Sequence, residues 1–247
     1  MKLPFTLDQG AGARTIVGVI LLQSDETLEA ELRTVLDDER LALYHARIPS
    51  AADVTPETLN RMARDLPRAA ALLPTARPLD VVGYACTSGA TIIGPDRVAA
   101  AIRKVHSGAR TTDPITAAMA ACRRLGVGKL GFVTPYVAEV SMAIRRKLEG
   151  NGFAIGAFGS FEQCEEAVVA RISARSVDDA IRTVGVAAEV DAVFVSCTNL
   201  RSFDIIDRAE AAIGKPVITS NQAFAWHLLE LAGLPTRSKG PGKLFRV

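Results

Sequence analysis

Short apolar runs rich in β-branched residues recur along the chain at residues 15–22, 41–47, 81–85, 129–134, 154–158, 192–196 and 216–219. Most lack polar alternation, the pattern of parallel strands covered on both faces. Segments with helical spacing lie between them, over residues 27–36, 56–73, 95–101, 114–125, 137–151, 164–171, 176–186, 203–213 and 223–231. Thr55-Pro56 and Asp113-Pro114 put proline in a first helical turn. Gly126, Gly150, Gly152 and Gly214 stand where helices should stop. This alternation predicts a doubly wound, mainly parallel α/β fold.

An internal repeat sharpens the expectation. Asp80-Val-Val-Gly-Tyr-Ala-Cys86-Thr87-Ser88 and Asp191-Ala-Val-Phe-Val-Ser-Cys197-Thr198-Asn199 share one form. Each has an Asp, five residues of buried strand, a Cys, a Thr and a small polar residue. Upstream, Ile16-Val-Gly18-Val-Ile matches Lys129-Leu-Gly131-Phe-Val at nearly the same distance from the cysteine. Two pseudo-symmetric, Rossmann-like halves follow, each a mainly parallel sheet flanked by helices. Residues 1–113 with about 220–247 would form the half carrying Cys86, and residues 114–219 the half carrying Cys197. Ligands of open α/β sheets bind beyond the carboxyl ends of the strands, so both cysteines would face one cleft between the halves.

Composition narrows the function classes. A chain of 247 residues that is 49% hydrophobic can bury a core without a metal or disulfide staple. With 29 basic against 27 acidic residues, nothing in the charge calls for a nucleic-acid partner. The longest block of one sign, Asp37 to Glu39, reads as a solvated helix end. Apolar runs of about seven residues fall far short of a membrane span. Met1 to Arg14 lacks the apolar core of a signal peptide, so a cytoplasmic protein is expected. Gly10-Ala-Gly12 precedes a strand instead of following one, the wrong order for a dinucleotide loop. His45, His106 and His227 are too dispersed for a ligand set.

The cysteines therefore carry the chemistry. Cys86, Cys122, Cys164 and Cys197 form no CxxC or CxxH, which argues against a zinc site, and a cytoplasmic setting argues against disulfides. A single cysteine ending a buried strand is ordinarily inert packing. Paired placement of Cys86 and Cys197, each followed by Thr and then Ser or Asn, points instead to function. Hydroxyls, an amide and backbone N–H groups opening a helix make an anion-binding nest. The positive helix end is expected to lower the thiol pKa. Cys122, inside a helix, and Cys164, opening an acidic one, read as structural.

The strings Ala85-Cys86-Thr87-Ser88-Gly89, Thr134-Pro135-Tyr136 and Ser196-Cys197-Thr198-Asn199-Leu200-Arg201 resemble the aspartate/glutamate racemase superfamily. Within it the chain is most similar to the branch of maleate cis–trans isomerase and arylmalonate decarboxylase, from Gly18 to Ala223. The resemblance implies no metal and no organic cofactor. It implies that Cys86 adds to a substrate double bond, and that Cys197 supplies or removes the proton at the neighbouring carbon. Thr87, Ser88, Thr198 and Asn199 would hold carboxylates, and Tyr136 a carboxylate or the developing enediolate. Donors fixed on such an oxyanion are worth about 2.7–4 kcal/mol each. Tyr136 capping a strand end is the alternative.

The departures bear on the substrate. Arylmalonate decarboxylases have glycine at the position of Cys86, so two thiols disfavour a one-thiol decarboxylase. Asp25 falls where maleate isomerases have a substrate-binding asparagine, and a second asparagine is replaced around Glu165 and Glu166. A carboxylate beside a dianion repels it, so a substrate with an amine or amide would fit, as in a branch resembling ectoine-utilisation proteins. Asp25 capping the following helix is the other reading. Arg47 is either a carboxylate clamp or a surface ion pair, and Arg201 could lower the Cys197 pKa. The leading function is a cofactor-independent isomerase or racemase of a small carboxylic or amino acid, assembled as a dimer or tetramer. The alternatives are a decarboxylase or other lyase, and a non-catalytic small-acid binding protein.

Overall fold

Each apolar run of the repeat lies inside a four-stranded parallel sheet. The first contains β1 (Thr15–Leu22), β2 (Leu41–Ile48), β3 (Val81–Ala85) and β4 (Arg110–Thr112), in the order β2-β1-β3-β4. The second contains β5 (Lys129–Tyr136), β6 (Ala154–Gln163), β7 (Ala192–Val195) and β8 (Val217–Thr219), in the equivalent order β6-β5-β7-β8. Every strand pair is parallel. The computed structural model describes residues 1–8, 10 and 15–247. The Gly10-Ala-Gly12 string and the end of the Met1–Arg14 segment thus lie largely outside the described residues.

The repeated residues have repeated jobs. Asp80 Oδ2 accepts the N–H of Ile16 at 2.7 Å, and Asp191 Oδ2 that of Lys129 at 2.8 Å. Each aspartate thereby ties the start of the neighbouring strand. A Cβ at Gly18 would lie 2.6 Å from Leu79, and one at Gly131 2.6 Å from Val184. At both positions only glycine lets the covering layer close onto the sheet.

The helices are α1 (Leu28–Val35), α2 (Pro56–Ala70), α3 (Thr87–Ile93), α4 (Pro95–Arg103) and α5 (Pro114–Leu125), then α6 (Ala138–Glu149), α7 (Glu166–Val169), α8 (Ala174–Gly185), α9 (Phe203–Ile213) and α10 (Ser220–Ala232). Asp113 opens α5 by accepting from the N–H groups of Ile115 and Thr116, with proline following it as expected. Gly126, at φ +67°, ends that helix in the left-handed region that favours glycine.

Four expectations change. Helix α3 and strand β4 have no counterpart in the sequence reading: α3 is seven residues without a charged one, and β4 is three residues at a sheet edge. Strand β6 runs on to Gln163 because it is an edge strand with alternating exposure, which tolerates Gly159 and Ser160. The helix expected over residues 164–171 shrinks to Glu166–Val169 in consequence. Helix α10 begins three residues early, because Thr219 and Gln222 form a capping box.

The final helix crosses over to the first sheet. A Cβ on Gly83 of β3 would meet the Phe224 ring at 2.4 Å, and α10 also packs along α5. One apolar cluster runs through both sheets. Among the described residues, no helix is long and apolar enough to cross a membrane.

Candidate active site

Cys86 follows the last residue of β3 and caps α3, whose Gly89 N–H donates to its Sγ at 3.2 Å. Cys197 stands two residues beyond β7, and the Asn199 N–H donates to its Sγ at 3.3 Å. Both side chains are closed off from solvent, at 2% and 4% exposure. Their backbones differ: Cys197 has φ +115°, a strained conformation for a residue with a Cβ. The Cys197 N–H donates to Ser220 Oγ at 3.1 Å, and Ser220 Oγ pairs at 2.8 Å with the hydroxyl of Thr87. The two cysteine loops are thus joined through one serine.

A phenol accompanies each thiol. The Tyr136 hydroxyl lies beside Cys197, and Tyr136 also feels the charge of Cys86 and Glu166. The Tyr84 hydroxyl lies beside Cys86 and donates to Met62 Sδ at 3.6 Å. Tyr84 was not singled out from the sequence. Its signal was there: it precedes Cys86 by two in a strand, hence shares its side of the sheet, and a buried tyrosine needs a partner for its hydroxyl. Ser88 Oγ lies 3.6 Å from the Cys86 Sγ.

The expected lowering of the thiol pKa does not occur. Burial pushes the Cys86 thiol up to about 12, with Glu166 adding to the rise against the hydrogen bonds of Ser88 and Gly89 and the neighbouring Tyr84 hydroxyl. Burial likewise raises Cys197 well above an ordinary thiol, reinforced by Glu166 and Asp25. The N–H donors of the nest are present, but excluding water from a thiolate costs more than they return. Arg201 is exposed and does not offset this.

Two carboxyl groups border the thiols. Asp25 Oδ1 accepts from the N–H groups of Thr27 and Leu28, so it does cap α1. Its Oδ2 is buried and makes no well-formed hydrogen bond, with the Thr198 hydroxyl close by and Glu166 and Cys197 in its field. Glu166 is 6% exposed, and its Oε2 accepts from Asn199 Nδ2 at 3.0 Å. Burial raises the pKa of both acids. Glu165, by contrast, is exposed.

The remaining expected residues divide by what they touch. Asn199 spends its other amide hydrogen on the Ser24 carbonyl and its oxygen on the Glu26 N–H, joining the two halves. Thr198 is buried, its hydroxyl 3.5 Å from the Ala85 carbonyl. Arg47 reaches the carbonyls of Leu22 and Asp25 and pairs with Glu29, so it staples the β1–α1 loop. Cys122 is buried in α5, but Cys164 is exposed and packs no core, against expectation, because its segment is strand-end loop and not helix. Glu31 escaped the sequence reading. It accepts from Ser202 and Phe203 N–H and from Asn221, fastening α1 to α9 and α10.

Two loops meet beside Glu166. The Val54 N–H donates to the Cys164 carbonyl at 2.8 Å and the Glu166 N–H to the Ala52 carbonyl at 3.0 Å, making an antiparallel bridge between Asp53 and Glu165.

The sequence pattern of arylmalonate decarboxylase matches residues 48–245. The chain belongs to the arylmalonate decarboxylase family. Its relatives include the maleate isomerase of Nocardia farcinica, 28% identical over 240 residues, covering 93% of this chain and 95% of that one. The arylmalonate decarboxylase of Bordetella bronchiseptica is 28% identical over 141 residues, 56% of this chain and 59% of that one. Among solved structures, maleate isomerase Iso of Pseudomonas putida S16 superposes with a TM-score of 0.84 at 27% identity, over 94% of this chain and 98% of that one. A Nocardia farcinica maleate cis–trans isomerase mutant with a covalently bound succinylcysteine intermediate superposes at 0.85 and 24% identity, over 94% and 98%. Two parallel sheets flanked by helices are thus the architecture of this family as well as of this chain.

Proposed function

We propose that this family member is a cofactor-independent isomerase acting at the carbon next to a carboxylate, with Cys86 and Cys197 as its reacting pair. The observation that carries this reading is the placement of both buried thiols at equivalent strand ends, each beside a buried tyrosine. Maleate isomerases related over nearly the whole chain support it.

On an alkene substrate the Cys86 thiolate adds to one carbon while the Cys197 thiol gives its proton to the next. Rotation about the resulting single bond, return of the proton to Cys197 and departure of Cys86 yield the other geometric isomer. Substrate and both sulfurs balance with no outside reductant. On a saturated substrate the same pair takes the α-proton from one face and returns one to the other. Tyr136 and Ser88 supply hydroxyls for the carboxylate or its enediolate, and Thr87, Thr198 and Asn199 hold the two cysteine loops around it. Because burial favours the protonated form of both thiols, the reactive thiolate forms only as bound substrate changes its surroundings, its proton leaving to solvent.

In this reading residues 1–113 with about 220–247 form one half and 114–219 the other. The enzyme works in the cytoplasm as a dimer or tetramer. A decarboxylase is the second reading, favoured by the family match itself.

The test is Cys86→Ser and Cys197→Ser, each assayed for α-proton exchange and cis–trans conversion on a panel of small dicarboxylates and amino acids. Each variant should lose about 10³-fold or more in kcat with its circular dichroism unchanged. Full activity in either overturns the proposal. Carbon dioxide release from substituted malonates without isomerisation would replace it with the decarboxylase.

A further inference from the structure

The closed site contains two carboxyl groups and, among the described residues, no cation paired with them. Asp25 is 4% exposed, and the oxygen left over from capping α1 makes no well-formed hydrogen bond. Its carboxyl group lies in the field of Glu166 and Cys197. Glu166 has one oxygen on Asn199. The guanidinium of Arg47, whose field reaches Asp25, is occupied outside by two carbonyls and Glu29. Arg171 pairs with the exposed Glu26.

A pair of buried carboxyl groups in one another's field opposes the ionisation of both. A second or third negative charge brought in by a plain dicarboxylate meets the same opposition. A positive nitrogen does the reverse: it supplies the missing countercharge and an N–H for Asp25 Oδ2. We infer that the natural substrate is a small carboxylate bearing a positively charged nitrogen, with that nitrogen seated between Asp25 and Glu166. The inference rests on the two-thiol reading above and adds the substrate's class. The hydroxyls of Ser88 and Tyr136, beside the thiols, are then left for the carboxylate. With an α-amino acid the chemistry balances as racemisation: one thiolate takes the Cα proton, and the opposite thiol delivers its own to the other face. The nitrogen's charge also opposes the field of Glu166, which adds to the effect of burial on both thiols.

The test compares matched pairs that differ only in the amine. Aspartate is set against succinate, glutamate against glutarate and alanine against propionate, in both enantiomers where they exist, with maleate as the unaminated alkene. Binding is measured by calorimetry on the Cys86→Ser, Cys197→Ser double variant, where no turnover interferes. At least one amino compound should bind about tenfold or more tighter than its partner, and Asp25→Asn or Glu166→Gln should abolish or invert that preference. Asp25→Asn keeps the oxygen that caps α1, and Glu166→Gln keeps the acceptor for Asn199, so both variants should fold. Equal or tighter binding of the unaminated member of every pair overturns the inference, as does failure of every amino compound to bind. Failure of the isomerase reading shows elsewhere, as turnover that survives Cys86→Ser.

Discussion

The backbone N–H of Cys197 donates a 3.1 Å hydrogen bond to the side chain of Ser220, and that bond holds a cysteine at φ +115°. A left-handed backbone at a residue with a Cβ costs about 1–3 kcal/mol and persists only where its surroundings over-determine it. Here the determinants are Ser220, its partner Thr87 and the Asn199 N–H on the sulfur. Ser220→Ala leaves a buried N–H unpaired, at about 1–3 kcal/mol. Melting should drop by several degrees, at about 2–4 °C per kcal/mol for a chain of this size. Turnover should fall about tenfold or more, because the Cys197 sulfur is no longer fixed. A variant with unchanged melting and kcat would show that the strain is held elsewhere.

The thiols should be slow to alkylate. Burial pushes Cys86 up to about 12 and Cys197 well above the usual thiol range, whereas Cys164 is exposed. Iodoacetamide at pH 7.5, followed by peptide mass spectrometry, should label Cys164 first and the pair far later. The sign of the stability effect follows. Above pH 9 the unfolded chain releases these protons while the folded chain keeps them. For Cys86, stability therefore falls between pH 9 and about 12, by about 1.4 kcal/mol per pH unit. Cys86→Ala should make the slope of unfolding free energy against pH in that range shallower by that amount. An identical slope in the variant would mean that Cys86 ionises as readily in the folded protein as in the unfolded one.

Much of this was legible because the fold repeats itself. The Asp80-to-Cys86 and Asp191-to-Cys197 strings could be matched in the sequence because the same backbone tie, aspartate to the neighbouring strand's N–H, is needed in both sheets. The position of the thiols followed from strand ends alone. Their electrostatics did not: a helix N-terminus can be read from a sequence, but the degree of burial that outweighs it is a property of the tertiary packing. Helix α3 was invisible because Thr87–Ile93 is short and carries no charged residue, being packed against α2 and α6. Glu31 and Ser220 were missed because nothing local marks a residue whose partners lie more than twenty positions away.

The two site carboxyl groups should cost the empty enzyme stability. Burial raises the pKa of Asp25 and of Glu166 above their unfolded values. Between the unfolded and folded values the folded chain holds protons that the unfolded chain has lost, so stability declines as pH rises from about 4. Above both folded values the penalty is fully present, at about 1.4 kcal/mol for every pH unit that separates a folded pKa from its unfolded one. Glu166→Gln, which removes the charge and keeps an oxygen for Asn199, should therefore melt higher than the parent at pH 8. The advantage should shrink as pH falls toward 4.5. An equal melting difference at both pH values would point to packing and not charge.

The loop bridge offers a direct way to show that entry requires opening. Asp53 and Glu165 face each other between the Val54-to-Cys164 and Glu166-to-Ala52 hydrogen bonds. They are therefore a non-hydrogen-bonded antiparallel pair, whose Cα atoms sit about 4.5 Å apart. That separation falls within the range that a disulfide spans. Both side chains are exposed, so replacing them leaves the core intact. In a Cys164→Ser background, which removes a competing thiol, Asp53→Cys with Glu165→Cys should be as active as the parent when reduced. Oxidation should abolish turnover and further slow alkylation of Cys86 and Cys197, and dithiothreitol should restore both. Full turnover by the oxidised protein, with the disulfide verified by mass spectrometry, would mean that substrate reaches the thiols by a route that leaves this bridge shut.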